Sequence, residues 1–322
     1  MFGSFSRIAP VASSNRLLVA ASVSSVAAAG CVYFFGGNGS ILSSPLMTSS
    51  EAAATPGIAL SKSEFTSLKV SSNVSVGLNV RKITLDFPNA TDVLGMKTAG
   101  MLMVKGDKRD GSGQIARPYT PVSRNDTVGK LELVVKDYPG VGNVSTYLCA
   151  VPVGTEVDVK GCYTKIAVEP NKWKKIGLIA GGSGLTPCLQ VAEELLDHPD
   201  DRTEITLIFC NRNPASIFLS DHIDALVARS KGRFKVHYCV DEVPAFSSMW
   251  DGLTGYVTAD MVQKYLPAPD GSSNIIMVCG PPPMYKALCG PKEFPEGKPP
   301  LQGEVGGVLK DLGYTKDAVF KF

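Results

Sequence analysis

The hydrophobic pattern of this chain changes period once, at Glu169-Pro170-Asn171, and that change commits it to two halves of different construction. Before it, apolar residues alternate with polar ones. Ile83, Leu85 and Phe87 alternate with Lys82, Thr84 and Asp86, and Leu131, Leu133 and Val135 with Lys130, Glu132 and Lys136. Val157 and Val159 keep the same period between Glu156, Asp158 and Lys160. Period-two runs between Gly, Pro and Asn turns predict an antiparallel, half-exposed sheet or small barrel. After the change come short apolar runs, Ile176–Ala180, Ile205–Cys210, Val236–Val240 and Ile275–Cys279, as expected of strands buried on both faces. Helical spacing lies between them, with Leu185, Leu189, Ala192 and Leu196 on one helix and Ile223, Leu226 and Val227 on the next. Strands alternating with helices imply right-handed crossovers and a parallel sheet.

The N-terminus is a separate object. Residues 17–35, LLVAASVSSVAAAGCVYFF, carry no charge and follow Arg16, a length close to that of a bilayer core. Tyr33, Phe34 and Phe35 suit an interface. Arg7 and Arg16 among serines, with no acid nearby, equally suit a mitochondrial targeting segment, and a removed secretory signal is the competing reading. Residues 36–60 are mostly Gly, Ser, Ala, Pro and Thr, a linker composition. The resulting division is an anchor at 1–36, a linker at 37–62, a β domain at 63–170 and an α/β domain at 171–322.

Charge and cysteine usage exclude several classes. The net charge of +2 equals the two arginines of the first fifty residues, so the remainder is close to neutral and gives no electrostatic case for nucleic acid. The 8 cysteines are dispersed without a C-x-x-C, and the 3 histidines stand at no metal-ligand spacing. Neither a disulfide framework nor structural zinc fits, and no metal is expected.

Ile176–Ala180 runs into Gly181-Gly182-Ser183-Gly184-Leu185-Thr186-Pro187 and then into a helix. Glycines at a strand-to-helix turn admit a pyrophosphate, which the helix N-terminus favours with amide donors and dipole. A tight turn without ligand is the plain alternative. The dehydrogenase fingerprint fails in two places: Pro187 replaces the third glycine, and the second strand ends Phe209-Cys210-Asn211-Arg212 without an acid. Asp197, Asp200 and Asp201 come before that strand, not after it.

Arg117-Pro118-Tyr119-Thr120-Pro121-Val122-Ser123 offers a guanidinium for phosphate, an aromatic plane for stacking and hydroxyls to orient a heterocycle. Alone, it reads equally as a surface strand with a Pro-bounded bulge. It is followed in order by the Gly-rich turn and by Cys279-Gly280-Pro281-Pro282-Pro283-Met284. Together the three motifs resemble the ferredoxin-reductase superfamily, and within it the NADH–cytochrome b5 reductase family. Lys136, Asp241 in Tyr238-Cys239-Val240-Asp241, Trp250-Asp251-Gly252, Leu266-Pro267-Ala268-Pro269 and Phe322 add to the resemblance, which runs from about Phe65 to Phe322.

The resemblance implies a six-stranded antiparallel FAD-binding β-barrel followed by an NAD-binding α/β domain. It implies that Arg117 binds the FAD pyrophosphate, that Tyr119 stacks on the isoalloxazine, and that Thr120 hydrogen-bonds its reactive nitrogen, with Pro118 between them. Val134, Lys136 and Tyr138 would line the flavin site, and Gly142, Val144 and Ser145 would hold phosphate or adenine portions. Thr186 would reach the flavin from the second domain. Gly181, Gly182, Ser183 and Gly184 would cradle the nicotinamide nucleotide, with Cys279, Gly280 and Pro281 near the nicotinamide and Phe322 part of the cofactor site. Thr120, Thr186 and Cys279 would be the catalytic group. Cys279 also stands at a strand's C-terminal end, where ligands bind in such sheets; the bland reading is a small buried hydrophobe, the default for the other cysteines.

The chain departs from the family at Gly142-Asn143-Val144-Ser145, where Gly-Lys-Met-Ser is common, and at Thr98-Ala99-Gly100-Met101, where Pro-Gly-Gln-His is frequent. The β half contains no histidine, so a histidine relay to the flavin is excluded. Asp241 repels a 2′-phosphate and favours NADH; Arg212 is the group that would attract one. The acceptor implied is cytochrome b5 or a similar haem protein, met by Lys165, Lys172, Lys174 and Lys175. A monomer on the mitochondrial outer membrane or in the intermembrane space is expected, with the endoplasmic reticulum second. A related FAD enzyme serving a small-molecule acceptor or using NADPH is the first competitor, and a nucleotide-binding module without turnover the second.

Overall fold

A computed structural model describes residues 56–243, 250–297 and 299–322. The expected membrane segment at 17–35 lies outside the described residues. Among the described residues no helix is long and apolar enough to cross a membrane.

The first half contains β1 (Thr66–Gly77), β2 (Val80–Asp86), β3 (Gly100–Asp107), β4 (Gln114–Tyr119), β5 (Lys130–Lys136), a short helix α1 (Val144–Ala150) and β6 (Glu156–Thr164). They form one antiparallel six-stranded sheet in the order β4-β3-β6-β1-β2-β5. The β1–β2 hairpin closes with Gly77 opposite Val80, and in its turn Asn79 takes the left-handed conformation (φ 56°) that asparagine tolerates. The period-two reading is visible in β3, where Leu102 and Val104 are buried and Met101 and Met103 half-exposed. Gly106 continues the buried face because α1 lies on it; a Cβ there would stand 2.8 Å from the Tyr147 ring. The sheet's two ends meet just past β4, where the Val122 N–H donates to Glu132 O at 2.9 Å and the Glu132 N–H to Ser123 Oγ at 3.0 Å.

The second half contains β7 (Lys175–Gly181), α2 (Leu185–Asp197), β8 (Glu204–Asn211), α3 (Ser220–Arg229), β9 (Phe234–Val240), β10 (Leu253–Thr254), α4 (Ala259–Tyr265), β11 (Asn274–Cys279), α5 (Pro282–Leu288), α6 (Gly307–Asp311) and β12 (Val319–Lys321). Its sheet is parallel throughout, in the order β10-β9-β8-β7-β11-β12. The chain moves outward from β7 through β10, then returns to lay β11 on β7's other side. That reversal opens a crevice at the carboxyl ends of β7 and β11, the place where open α/β sheets bind ligands. Helix α2 buries Leu185, Leu189, Ala192 and Leu195. Helix α3 buries only Ile223 and Leu226; Val227, expected on the apolar face, is exposed because the helix contacts the sheet along a narrow stripe.

The halves share a core. Val80, Ala99 and Val134 of the β half belong to one buried cluster with Leu178, Leu185 and Phe209 of the α/β half. Polar contacts cross the same seam: the Gly100 N–H donates to Gln190 Oε1 at 2.8 Å, and Arg124 pairs with Asp197, which Arg229 of the α/β half also holds.

Asp201 is fully buried and its two oxygens accept four hydrogen bonds. Arg233 Nη1 donates at 2.8 Å and the Thr203 N–H at 3.0 Å to one oxygen, and the Asn171 N–H at 2.7 Å and Thr203 Oγ1 at 2.9 Å to the other. This carboxylate ties the interdomain link to the start of β8. Removing it strands a half-buried guanidinium and three donors, so Asp201→Ala is expected to lose roughly 3–5 kcal/mol of stability by denaturant unfolding. A loss below about 1 kcal/mol would show that water replaces the carboxylate.

Candidate functional site

The crevice brings the Gly-rich turn and the Cys279 segment into contact. Cys279 is in register with Ala180, and Gly184 packs so closely on it that a Cβ would stand 2.1 Å from the Cys279 carbonyl oxygen. Gly181 and Gly280 face Met284, whose sulfur would lie 2.8 Å and 2.4 Å from an added Cβ. Gly182 has φ +52°, a conformation that glycine adopts without strain. The glycines therefore serve a close approach of backbone to backbone as well as a turn. Helix α2, thirteen residues long, has no side-chain cap and no acid in its first turn, leaving amide donors and dipole for an anion. Pro187 sits in that turn as expected. Thr186 is buried there, its hydroxyl donating to Ser183 O at 3.3 Å.

On the β side, β4 is an edge strand, which is why it tolerates Pro118. Arg117 is exposed, and Tyr119 and Thr120 are half-buried. Burial, then Cys149 and Tyr138, pushes the Tyr119 phenol well above its ordinary pKa, against the pull of Arg117, so it remains a neutral hydroxyl at physiological pH. Val134 is buried at the seam, and Lys136 ends β5 with its ammonium 6.0 Å from the centre of the Phe218 ring. Burial and the neighbouring Arg212 charge lower the Lys136 pKa. Among the described residues neither Lys136 nor Arg212 has a carboxylate within ion-pair distance. The two cations come from different halves and lie close enough for one charge to act on the other, a pairing that raises the local positive potential.

The segment after β5 is built for tight packing. The Gly142 N–H donates to Tyr138 O at 2.8 Å, and a Cβ at Gly142 would fall 2.5 Å from Ser145 Oγ. Asn143, where a lysine is common in the resembling family, accepts the Arg109 N–H at 3.1 Å through its side chain. Val144 is buried and Ser145 half-buried at the start of α1. Tyr138 Oη and Ser183 Oγ lie 2.9 Å apart, joining this segment to the Gly-rich turn. Two segments expected to hold cofactor, one from each half, thus meet at this contact.

Asp241 stands exposed just beyond β9, its N–H donating to Asn211 O at 3.0 Å. Its carboxyl pKa is raised by partial burial and by Glu242, with Arg212 opposing. Cys279 is enclosed, and burial pushes its thiol up to about 11 against the opposing influence of Tyr285 and Lys292. It is a neutral thiol and not a standing nucleophile. Two residues outside the sequence motifs organise this corner. Tyr285 Oη donates to Phe322 O at 3.0 Å and Lys292 Nζ to the same oxygen at 2.9 Å. The Phe322 N–H donates to Val278 O at 3.0 Å, and its ring meets Phe320 edge-on at 5.2 Å. Only Tyr285 had a local signal, one helical turn after Pro281.

The lysines expected to face an acceptor are partly engaged within the chain. Lys175 pairs with Glu204 at 3.4 Å, and Lys172 donates to Ala167 O at 3.0 Å while lying over the Trp173 ring. Lys165 is half-buried, which lowers its pKa.

Residues 67–167 match the family described as the oxidoreductase FAD-binding domain, and residues 178–290 the oxidoreductase NAD-binding domain. The chain is 40% identical over 259 residues to NADH-cytochrome b5 reductase 2 of Scheffersomyces stipitis, covering 80% of this chain and 84% of that one. It is 41% identical over 255 residues to the protein of the same name from Emericella nidulans, covering 79% and 77%. Among solved structures, the cytochrome b5 reductase domain of Ulva prolifera nitrate reductase superimposes with a TM-score of 0.70 at 27% identity, covering 83% of this chain and all of that one.

The thiol pKa generates a test. At pH 8 a thiol titrating near 11 is about one-thousandth ionised, so Cys279 in the folded protein should resist iodoacetamide and react increasingly as pH rises toward 10. Peptide mass spectrometry follows the site directly; complete alkylation within minutes at pH 8 would mean an activated thiolate.

Proposed function

The chain belongs to the NADH–cytochrome b5 reductase family, and we propose that it passes electrons from NADH through FAD to cytochrome b5. The observation that carries this is the seam itself: a FAD-binding and an NAD-binding half share one core, and their site residues meet at the Tyr138–Ser183 contact. The chemistry of accepting a hydride and releasing single electrons is supplied by the flavin when bound.

The residues of the chain bind, orient and exclude water. Arg117, exposed on the edge strand β4, supplies a guanidinium for the FAD pyrophosphate, and the neutral Tyr119 phenol offers a flat face with a hydrogen-bond donor. The shape of the cradle suits a dinucleotide. Glycine at 142 leaves room beside Ser145, and Gly181–Gly184 present backbone where a side chain at 181 or 184 would strike β11 or α5. Lys136 and Arg212 would supply positive charge from the two halves. Cys279, held neutral, fills the nicotinamide end with a small polarizable group that brings no competing charge. Thr186, buried in the first turn of α2, fixes the spacing between that helix and the seam.

Asp241 supports a preference for NADH, since a 2′-phosphate beside it meets like charge. The uncharged stretch 17–35 after Arg16 supports a membrane anchor, and its Arg- and Ser-bearing flank supports the mitochondrial outer membrane or intermembrane space. The endoplasmic reticulum membrane is the alternative address. Lys174, the least engaged of the link lysines, together with Lys165, is the expected contact for an acidic haem protein.

Anaerobic NADH added to the purified flavoprotein is expected to bleach its visible band far faster than NADPH, and the reduced enzyme should then reduce cytochrome b5. Rapid bleaching with no transfer to cytochrome b5 but fast transfer to a quinone would favour the small-molecule reading. Asp241→Thr should raise the NADPH to NADH ratio of kcat/KM at least about tenfold. An unchanged ratio would shift discrimination to Arg212.

A further inference from the structure

Asn211 is the last residue of β8 and is only 5% exposed, yet neither its amide oxygen nor its amide nitrogen has a hydrogen-bond partner among the described residues. A buried carboxamide left with both ends unsatisfied is costly, and such groups mark places completed by something else. Alternation along β8 tells which way this one faces. Ile205, Leu207 and Phe209 belong to the core shared between the two halves, whereas Ile208 belongs to the core on the sheet's other side. By the two-residue repeat of a strand, Asn211 shares the face of Phe209. Phe209 packs edge-on against Phe218 at 5.6 Å, and the Lys136 ammonium lies over that same ring from the β half. The carboxamide therefore lies at the carboxyl end of β8 on the sheet face turned toward the β half, enclosed and without a partner among the described residues.

Its neighbours fix which part of a dinucleotide passes it. Cys210, one residue before, is in register with Gly181 of the Gly-rich turn. Arg212, one residue after, faces Lys136, and Asn211 O accepts the Asp241 N–H. Tyr238, paired with Phe209 on the neighbouring strand, also buries a hydroxyl with no partner among the described residues. Two unsatisfied polar groups thus share one face of the sheet, Asn211 beside the strand position in register with Gly181 and bonded through its backbone to Asp241.

We infer that the Asn211 carboxamide is a specificity-determining binding group for the ADP-ribose half of the nicotinamide dinucleotide, donating to and accepting from its diphosphate–ribose stretch. This rests on the NADH reading given above and adds to it a residue that reads hydrogen bonds where Lys136 and Arg212 read charge. An amide that both donates and accepts distinguishes a hydroxyl-bearing ribose from a bare phosphate chain.

The same observation dictates a test with effects of opposite sign. In the FAD-loaded enzyme, Asn211→Leu replaces an unsatisfied amide by an apolar group of similar volume. The unfolding temperature without nucleotide should rise, while calorimetric Kd values for NAD+ and ADP-ribose should increase about tenfold, the loss of roughly one good hydrogen bond. The Kd for nicotinamide mononucleotide and the FAD content should not change. Asn211→Ala serves as the second variant and should show the same selective loss should the leucine form fold poorly. Unchanged ADP-ribose affinity would overturn the inference, as would a lowered unfolding temperature with unchanged affinity, the signature of an amide satisfied by internal water. Equal weakening of nicotinamide mononucleotide would overturn the assignment to the ADP-ribose half. A wild-type enzyme binding neither NAD+ nor ADP-ribose would overturn the NADH reading and this inference together.

Discussion

No atom larger than hydrogen fits on the α-carbon of Gly184, because the carbonyl of Cys279 already occupies the space a Cβ would take. Much of the candidate site depends on that contact. It lets the turn after β7 lie against the end of β11, which brings the Gly-rich loop beside the Cys279-Gly280 segment and sets the direction in which α2 leaves the sheet. The contact is local in space and remote in sequence, 95 residues apart, and it exists because the chain reverses its strand order between β7 and β11. Where topology switches, two strand ends diverge and leave a crevice. Here glycine on both sides keeps that crevice narrow.

The electrostatics of the crevice are arranged by subtraction. Cys279 and Tyr119 are held neutral by burial, while Arg212 is close enough to both Lys136 and Asp241 for its charge to act on each. Lys136 and Arg212 come from different halves of the molecule. Elsewhere along the seam, charges are neutralised in place, with Asp197 between two arginines and Asp201 saturated by four donors. The contrast is between carboxylates held by several donors within the fold and a Lys136–Arg212 pair with no carboxylate at ion-pair distance among the described residues.

Much of this was legible in the sequence where the signal is periodic or local. The change of period at Glu169–Asn171 separates the antiparallel sheet from the parallel one, and the three motifs fall on β4, on the turn after β7 and at the end of β11. What the sequence could not supply were partners brought together by topology. Asp201 reads as one of three acids on the wrong side of β8, and only the fold reveals it as a buried hub between the link and Arg233. Lys172 and Lys175 read as free surface charge, but Ala167 O and Glu204 claim them. Val227 fits a helical stripe by spacing and is nonetheless exposed, since a surface helix buries fewer positions than the pattern allows. Tyr285 and Lys292 converge on Phe322 O from separate segments, a meeting with no trace in residue order.

Sharing a core has a mechanical consequence for the two halves. Bodies that meet across a loose, wet interface hinge apart, whereas bodies that bury Val80, Ala99 and Val134 in a common packed layer cannot separate without opening voids in it. A packed seam of this kind favours shear, a sliding of side chains by small amounts, over hinge opening. For chemistry that would depend on holding two flat rings at contact distance, the seam would serve as a spacer, its packed layer fixing how far apart the residues that hold them can move.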